Sequence, residues 1–257
     1  PRGNISLPSV DVLDLRKLPA PAKGMSYGDA EPAAPGSNNF AIAGALTKDG
    51  RALVADDMHL GLRAPNIWFR ARLKYQDSQA LERRVDVSGF TLPGIPAVIV
   101  GSNTHVAWGF TNSYGDWLDW HVVHPQTDSI KTYKEKILVK GAEAVEFEIR
   151  ESNGRPIMAK DINGDELALE WTAHLPGALS TKIFSLSTVQ NNDQALALFQ
   201  ESGMPHQNAV FGDSSGKIAW KLTGLQKYWE LGCQRTEPLN SQDPADAPCF
   251  AKPLVDD

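Results

Sequence analysis

The chain has 257 residues, enough for one large domain or two small ones with a substantial core. Its net charge of −6 speaks against nucleic acid as a partner, because affinity for phosphate backbones comes from clustered Lys and Arg. Apolar residues make up 42%, ordinary for a globular protein, and no run approaches the ~18 consecutive apolar residues that a membrane span needs.

Residues 1–36 hold Pro1, Pro8, Pro19, Pro21, Pro32 and Pro35 among Gly, Ala and Ser, and read as a spacer or linker tail with one short helical candidate at Val10–Lys17. From Ser37 the texture changes to short strands with turn residues between them, so a domain is expected over 37–257. Phe40–Leu46 and Ala52–Ala55 flank Lys48-Asp49-Gly50-Arg51, a hairpin signal. Further strands are predicted at Ile67–Tyr75, Val85–Phe90, Ala97–Val100, Val106–Phe110 and Trp120–Val123. A second hairpin is predicted from Ile137–Lys140 and Val145–Arg150, turned by Lys140-Gly141-Ala142-Glu143, and Leu167–Thr172 alternates in the same way. In Asn192–Glu201, Leu196, Phe199 and neighbouring alanines recur at helical spacing. A last hairpin joins Ala209–Phe211 to Lys217–Leu222 around Gly212-Asp213-Ser214-Ser215-Gly216. The fold class is therefore α+β, rich in strands and poor in helices. Cys233–Asp257 has no periodicity and reads as an ordered loop or an unfinished segment. Its Cys233 and Cys249 either close a loop, worth ~3 kcal/mol in an oxidising compartment, or are two unrelated buried thiols.

Four clusters carry possible chemistry, and each taken singly has a plain structural explanation. Gly36-Ser37-Asn38-Asn39 is, on composition, a turn. If the chain is cut before Ser37, however, that residue gains an α-amine of pKa near 8 beside its own hydroxyl, a base on the same residue as the nucleophile. Asp56-Asp57-Met58-His59 suggests a metal, yet one His beside two Asp more often makes a hydrogen-bonded loop. Gly101-Ser102-Asn103 and Trp108-Gly109-Phe110-Thr111-Asn112 read as a hairpin with a buried tryptophan. Asp116 and Asp119, with the Leu118 carbonyl between them, supply either oxygen ligands for calcium or a solvated loop pair.

In this order and spacing the clusters resemble the penicillin acylase family, in which a serine at the head of the β-chain becomes a nucleophile after self-cleavage. Gly36-Ser37-Asn38-Asn39-Phe40 is similar to that cleavage site, and Asp57-Met58-His59-Leu60 to a segment that carries His or Gln, with Met58 in place of a proline. Leu92-Pro93-Gly94-Ile95-Pro96, Gly101-Ser102-Asn103, Ala107-Trp108-Gly109-Phe110-Thr111 and Gln207-Asn208 with Asp213-Ser214-Ser215-Gly216-Lys217-Ile218 come after them in the family's order, so the resemblance runs from about Pro35 to Gly224.

The resemblance implies an N-terminal-nucleophile (Ntn) hydrolase, a four-layer αββα sandwich of which this chain holds part. It implies autocleavage of Gly36–Ser37, Ser37 as nucleophile, the Asn112 backbone N–H as an oxyanion donor and His59 beside the nucleophile, orienting the amine or its water, with its backbone helping to hold the site. The family's second donor, an asparagine side chain well downstream, has no match here. Asp116, Leu118 and Asp119 match a structural calcium loop, and no organic cofactor is expected. The implied partners are a small N-acyl amide (a penicillin, a cephalosporin side chain or an N-acyl homoserine lactone) and the α-chain of the same precursor, in the periplasm or outside the cell. His59 in place of Gln points toward the cephalosporin and acyl-lactone branches. Two other readings stay open: a non-catalytic homologue that leaves the bond uncut, and a secreted β-rich binding module using Trp117, Trp120 and Trp229 as ligand platforms.

Overall fold

A computed structural model of the chain describes residues 36–60, 64–78, 80–201, 203–225 and 237–250. The helical candidate at Val10–Lys17, the tail up to residue 35, Trp229 and Cys233 lie outside them. The described residues all belong to the second of two compact units, Gly36–Asp257.

The centre is a six-stranded antiparallel sheet built from β3 (Phe69–Gln76), β4 (Arg84–Leu92), β5 (Ile95–Ser102), β6 (Val106–Asn112), β12 (Gln207–Asp213) and β13 (Ile218–Leu222), in the order β13-β12-β6-β5-β4-β3. Its turns arise from local chemistry. Pro93 and Gly94 join β4 to β5, and Gly94 has φ +83°, the left-handed position that a type II turn gives to glycine. Asn103 joins β5 to β6: its Oδ1 accepts from the N–H groups of His105 and Val106, at 3.0 and 2.8 Å. Its Nδ2 donates to the carbonyls of Leu186 and Val189, at 2.9 and 2.7 Å, so one buried amide ties the turn to the 3-10 segment Thr181–Ser187.

One face of this sheet is the main core. Trp108 and Phe110 of β6 lie opposite Phe211 and Ala209 of β12, and all four pack with Leu186, Val189 and the Ala195 and Phe199 face of α1 (Asn192–Glu201). Trp108 is buried as its spacing suggested, its indole N–H donating to the Ile99 carbonyl at 2.9 Å.

The opposite face takes a two-stranded antiparallel ribbon, β1 (Gly36–Ile42) and β2 (Leu53–His59). Here glycine is required for close approach. A Cβ on Gly109 would fall 2.8 Å from Asp56, and one on Gly212 would fall 2.9 Å from the Ala52 and Val54 side chains. The ribbon differs from expectation at both ends. The first strand stops at Ile42, and Gly44–Leu46 is a 3-10 turn anchored by the Gly44 N–H on the Gly216 carbonyl at 2.8 Å. The second strand runs on to His59, so Asp56-Asp57-Met58-His59 is paired strand and not a loop.

A second sheet, in the order β7-β11-β10-β9-β8, contains β7 (Leu118–Val122), β8 (Ile130–Ile137), β9 (Val145–Ser152), β10 (Arg155–Lys160) and β11 (Glu166–Trp171). The expected hairpin is present, with its turn around Lys140-Gly141 and its second strand from Val145, but its first strand lies earlier than Ile137–Lys140, since β8 meets β9 from Ile130↔Ser152 to Ile137↔Val145. The stretch from Lys131 to Lys136 is exposed throughout, so no apolar alternation marked it as strand. β10 also went unread, although Asn153-Gly154 ahead of it is a strong hairpin signal, with φ of 52° and 80°. Segment 237–250 docks on β7 through Leu239, which exchanges backbone hydrogen bonds with Trp120 and Val122 at 2.7 and 2.8 Å, and Cys249 is disulfide-bonded.

Asp213 closes the β12–β13 hairpin. Its carboxylate accepts from the N–H groups of Ser215 and Lys217 and from the Ser215 hydroxyl, and it reaches the Asn192 N–H at the start of α1. Burial alone would raise its pKa, but these hydrogen bonds outweigh burial and hold the carboxyl below its usual range. Asp213→Ala is expected to cost about 2–3 kcal/mol, the scale for orphaning buried N–H groups that bonded a charge. Urea unfolding at neutral pH should show a lower midpoint with unchanged slope, and a loss under 0.5 kcal/mol would refute the assignment.

Candidate active site

Residues directly opposite in an antiparallel pair share a face, and neighbours along a strand alternate. The register Ser37↔Met58, Asn38↔Asp57, Asn39↔Asp56 therefore puts Ser37, Met58, Asn39 and Asp56 on the face turned to the six-stranded sheet. Asn38, Asp57 and His59 take the other face. Asn39 fastens this arrangement, donating from Nδ2 to the Asn208 carbonyl at 3.0 Å and toward the Gly109 carbonyl at 3.5 Å.

Ser37 then meets the end of β6. The Asn112 backbone N–H donates to Ser37 Oγ at 3.3 Å, joining residues 75 positions apart. Oγ and a backbone donor this close suit acyl transfer: a carbonyl carbon attacked by Oγ would place its oxygen within reach of the same N–H.

Both residues open onto a cavity of about 530 Å³. Met58, Trp68, Ile99, Phe110, Ile183, Phe184 and Met204 supply most of its walls, and Gly36, Asn112 and Gln207 stand with Ser37 among the few polar contributions. None of the described residues lining it carries a charge. Met58, Phe110 and the Leu92-Pro93-Gly94-Ile95-Pro96 turn were legible as motifs without this role, while Trp68, Ile99, Ile183, Phe184 and Met204 come from scattered segments that sequence reading missed. Gln207 and Asn208 were legible as a motif without a role; each bonds Asn112, Gln207 Nε2 to Oδ1 at 2.7 Å and Asn208 Nδ2 to the carbonyl at 3.4 Å.

His59 is placed differently from the reading that set it beside the nucleophile. Its Nε2 lies 2.8 Å from Asp57 Oδ2 and 3.3 Å from Asn38 Nδ2, on the face away from Ser37 Oγ. Its backbone, expected to help hold the site, pairs with Gly36. The cause is period 2: His59 follows Met58, which shares the face of Ser37, so its imidazole takes the other face.

The proposed calcium loop lies at the start of β7, with Leu118 paired to Trp171. Calcium takes about six to eight oxygen ligands. Among the described residues no three His, Cys, Asp or Glu side chains gather in one place. Trp117, a candidate ligand platform, is instead stacked on His206 with ring centroids 3.7 Å apart and planes 10° apart.

Asp56 is the unexpected group. Its oxygens are buried against Gly109, and neither meets hydrogen-bond geometry with a partner among the described residues. Burial is the main cause that pushes its carboxyl up to about 6, with the neighbouring Asp57 charge adding and the Phe110 backbone N–H offsetting part.

Comparison with known proteins places this geometry. Residues 7–246 match the family model described as penicillin amidase. An acyl-homoserine lactone acylase QuiP of Pseudomonas fluorescens (strain Pf0-1) is 28% identical over 206 residues, covering 73% of this chain and 24% of that protein. A penicillin acylase 2 proenzyme of Pseudomonas sp. (strain SE83) is 27% identical over 228 residues, covering 82% and 27%. Among solved structures, a thermostable penicillin G acylase from Alcaligenes faecalis superposes with a TM-score of 0.64 at 18% identity, over 79% of this chain and 38% of that one. The chain spans about a quarter of the length of these curated relatives. It belongs to the penicillin amidase family and has part of the Ntn-hydrolase αββα fold.

The raised Asp56 pKa has a definite sign. A carboxyl that titrates higher when folded binds its proton more tightly in the native state, so it favours the fold at low pH and costs stability as pH rises through about 6. Asp56→Asn is expected to leave stability near pH 4 unchanged and to raise it at pH 8 by about 1–2 kcal/mol, less than the full shift because the residue is only half buried. Urea unfolding of both proteins across this range checks it; a difference that does not vary with pH would refute it.

Proposed function

From membership of the penicillin amidase family and the geometry around Ser37, we propose that the chain carries the nucleophile of an N-acyl amide hydrolase. The observation that carries the reading is the meeting of Ser37 Oγ with the Asn112 N–H at the mouth of a cavity whose described lining is apolar and uncharged. Cleavage of Gly36–Ser37 frees the α-amine, which takes the hydroxyl proton directly or through one water as Oγ adds to the substrate carbonyl. The Asn112 N–H then bonds the developing oxyanion, a contact worth ~3 kcal/mol. The amine leaves with the proton, and water enters by the same route to release the carboxylate. His59 helps hold the Gly36 side of the scissile bond through strand pairing.

The cavity supports a substrate class. An ionised acyl tail would have to shed its hydration against Ile99, Ile183 and Phe184 with no partner, whereas a neutral alkyl or aryl tail gains by burial. This favours N-acyl lactones and penicillin-like amides with apolar acyl groups over dicarboxylic side chains. The disulfide at Cys249 fits an oxidising compartment such as the periplasm. The α-chain of the same precursor and a structural calcium near Asp116 and Asp119 belong to the same reading and take no part in the chemical steps.

Two measurements test it on the full-length protein. Intact mass and N-terminal sequencing should find a fragment beginning Ser-Asn-Asn-Phe, absent in Ser37→Ala along with all amidase activity; a Ser37→Ala protein that is still cut there or still active would sink the proposal. Hydrolysis of N-octanoyl against N-glutaryl homoserine lactone should differ in kcat/KM by about 100-fold or more, given the cost of an unpaired buried carboxylate. Equal rates would refute the apolar acyl assignment.

A further inference from the structure

We infer that Gln207 is a positioning residue that holds the oxyanion donor on Ser37, an inference that rests on the reading of Ser37 and Asn112 just given. Asn112 and Gln207 are directly opposite one another at the last rung of the β6–β12 ladder. Beyond Asn112 the chain has no strand until Leu118, so the regular ladder ends where the donor must be fixed most firmly. Side-chain amides take over there. Gln207 Nε2 donates to Asn112 Oδ1 at 2.7 Å and to the His206 carbonyl at 2.9 Å. With two acceptors facing one nitrogen, the amide has a single orientation, since a flipped Oε1 would confront the His206 carbonyl. That orientation presents a donor to Asn112 and pins its side chain.

Gln207 is itself well anchored. Its N–H donates to Thr223 Oγ1 at 3.1 Å, and its carbonyl accepts from the Thr223 N–H at 2.9 Å. Asn208 supports the same residue from the ribbon side. Its Nδ2 reaches the Asn112 carbonyl at 3.4 Å, its Oδ1 accepts from the Trp220 indole at 3.3 Å, and its own carbonyl takes Asn39 Nδ2, two positions from Ser37. Nucleophile and donor are thereby referred to one frame. Shifts of an ångström between reacting groups cost up to ~100-fold in rate, so a contact that fixes Asn112 acts on the chemical step without touching the reacting atoms.

The test uses the full-length protein after mass spectrometry has shown cleavage before Ser37, with the para-nitroanilide of octanoic acid as probe. Gln207→Met keeps the size of the side chain and removes the donor; kcat is expected to fall about 10-fold with KM within twofold. Asn112→Ala keeps the backbone N–H, loses the tether and is expected to give the same fall. The double variant should be no slower than either single one, because both remove one contact. An unchanged kcat in the cleaved variants, additive losses, or a raised KM at constant kcat (the pattern of a direct substrate contact) would overturn the inference alone. Should Gln207→Met fail to fold, the exposed Asn112→Ala still decides between an unchanged and a reduced kcat. Activity that survives Ser37→Ala would instead remove the reading beneath it, and this inference with it.

Discussion

The architecture depends on how closely a two-stranded ribbon can lie on a sheet. Facing sheets usually stand ~10 Å apart because side chains fill the gap. At Gly109 and Gly212 there is nothing to fill it, and β2 settles against the backbone of β6 and β12 with Ala52, Val54 and Asp56 in contact. This approach brings Ser37, at the ribbon's leading end, down to the last residue of β6. A single methyl at Gly109 would have to displace Asp56, on the same face as Ser37. The position of Ser37 is thus decided partly by glycines that carry no side chain at all.

Much of this was legible in the chain's own pattern, for reasons that also explain what was not. α1 was expected at Asn192–Glu201 and lies there, because a ten-residue amphipathic segment beside a folded sheet has one way to bury Leu196 and Phe199. Trp108 and Asn103 sit as a strand, turn and strand would have them. Ser37 and Asn112 were named from motifs, and the fold brings them together. The misreadings share one cause: they concern which way a residue faces and what lies across from it. β8 is exposed along nearly its whole length, so it has no alternation to read, and the side of the ribbon that His59 takes is fixed by a pairing register that no local window contains. Asp56 looked like one of two equivalent acids, and only the packed structure separates the dry one from the wet one.

The site combines two environments that rarely coexist within so few residues. Below Ser37 the cavity is bounded by Met58, Phe110, Ile183 and Met204, surfaces that gain from losing water. Beside it, Asn39, Asn112, Gln207 and Asn208 form a cluster of neutral amides whose hydrogen bonds orient one another. Amides suit this place because they fix geometry without adding charge, leaving the field around Ser37 to the backbone dipole at Asn112. Asp56 lies on the same ribbon face, and the same dryness pushes its carboxyl up to about 6.

The contact between Ser37 and Asn112 spans 75 positions of sequence and needs the ribbon, β6 and β12 all in place. Contacts of this range form late, after loop closure has been offset by the sheet itself. If, as proposed, this arrangement breaks the bond before Ser37, it does so only in chains that have completed their centre. Scission before Ser37 would then serve as a certificate of assembly: a molecule with a slipped register or an undocked ribbon never receives its reactive terminus, and so cannot release a half-built catalyst into its surroundings.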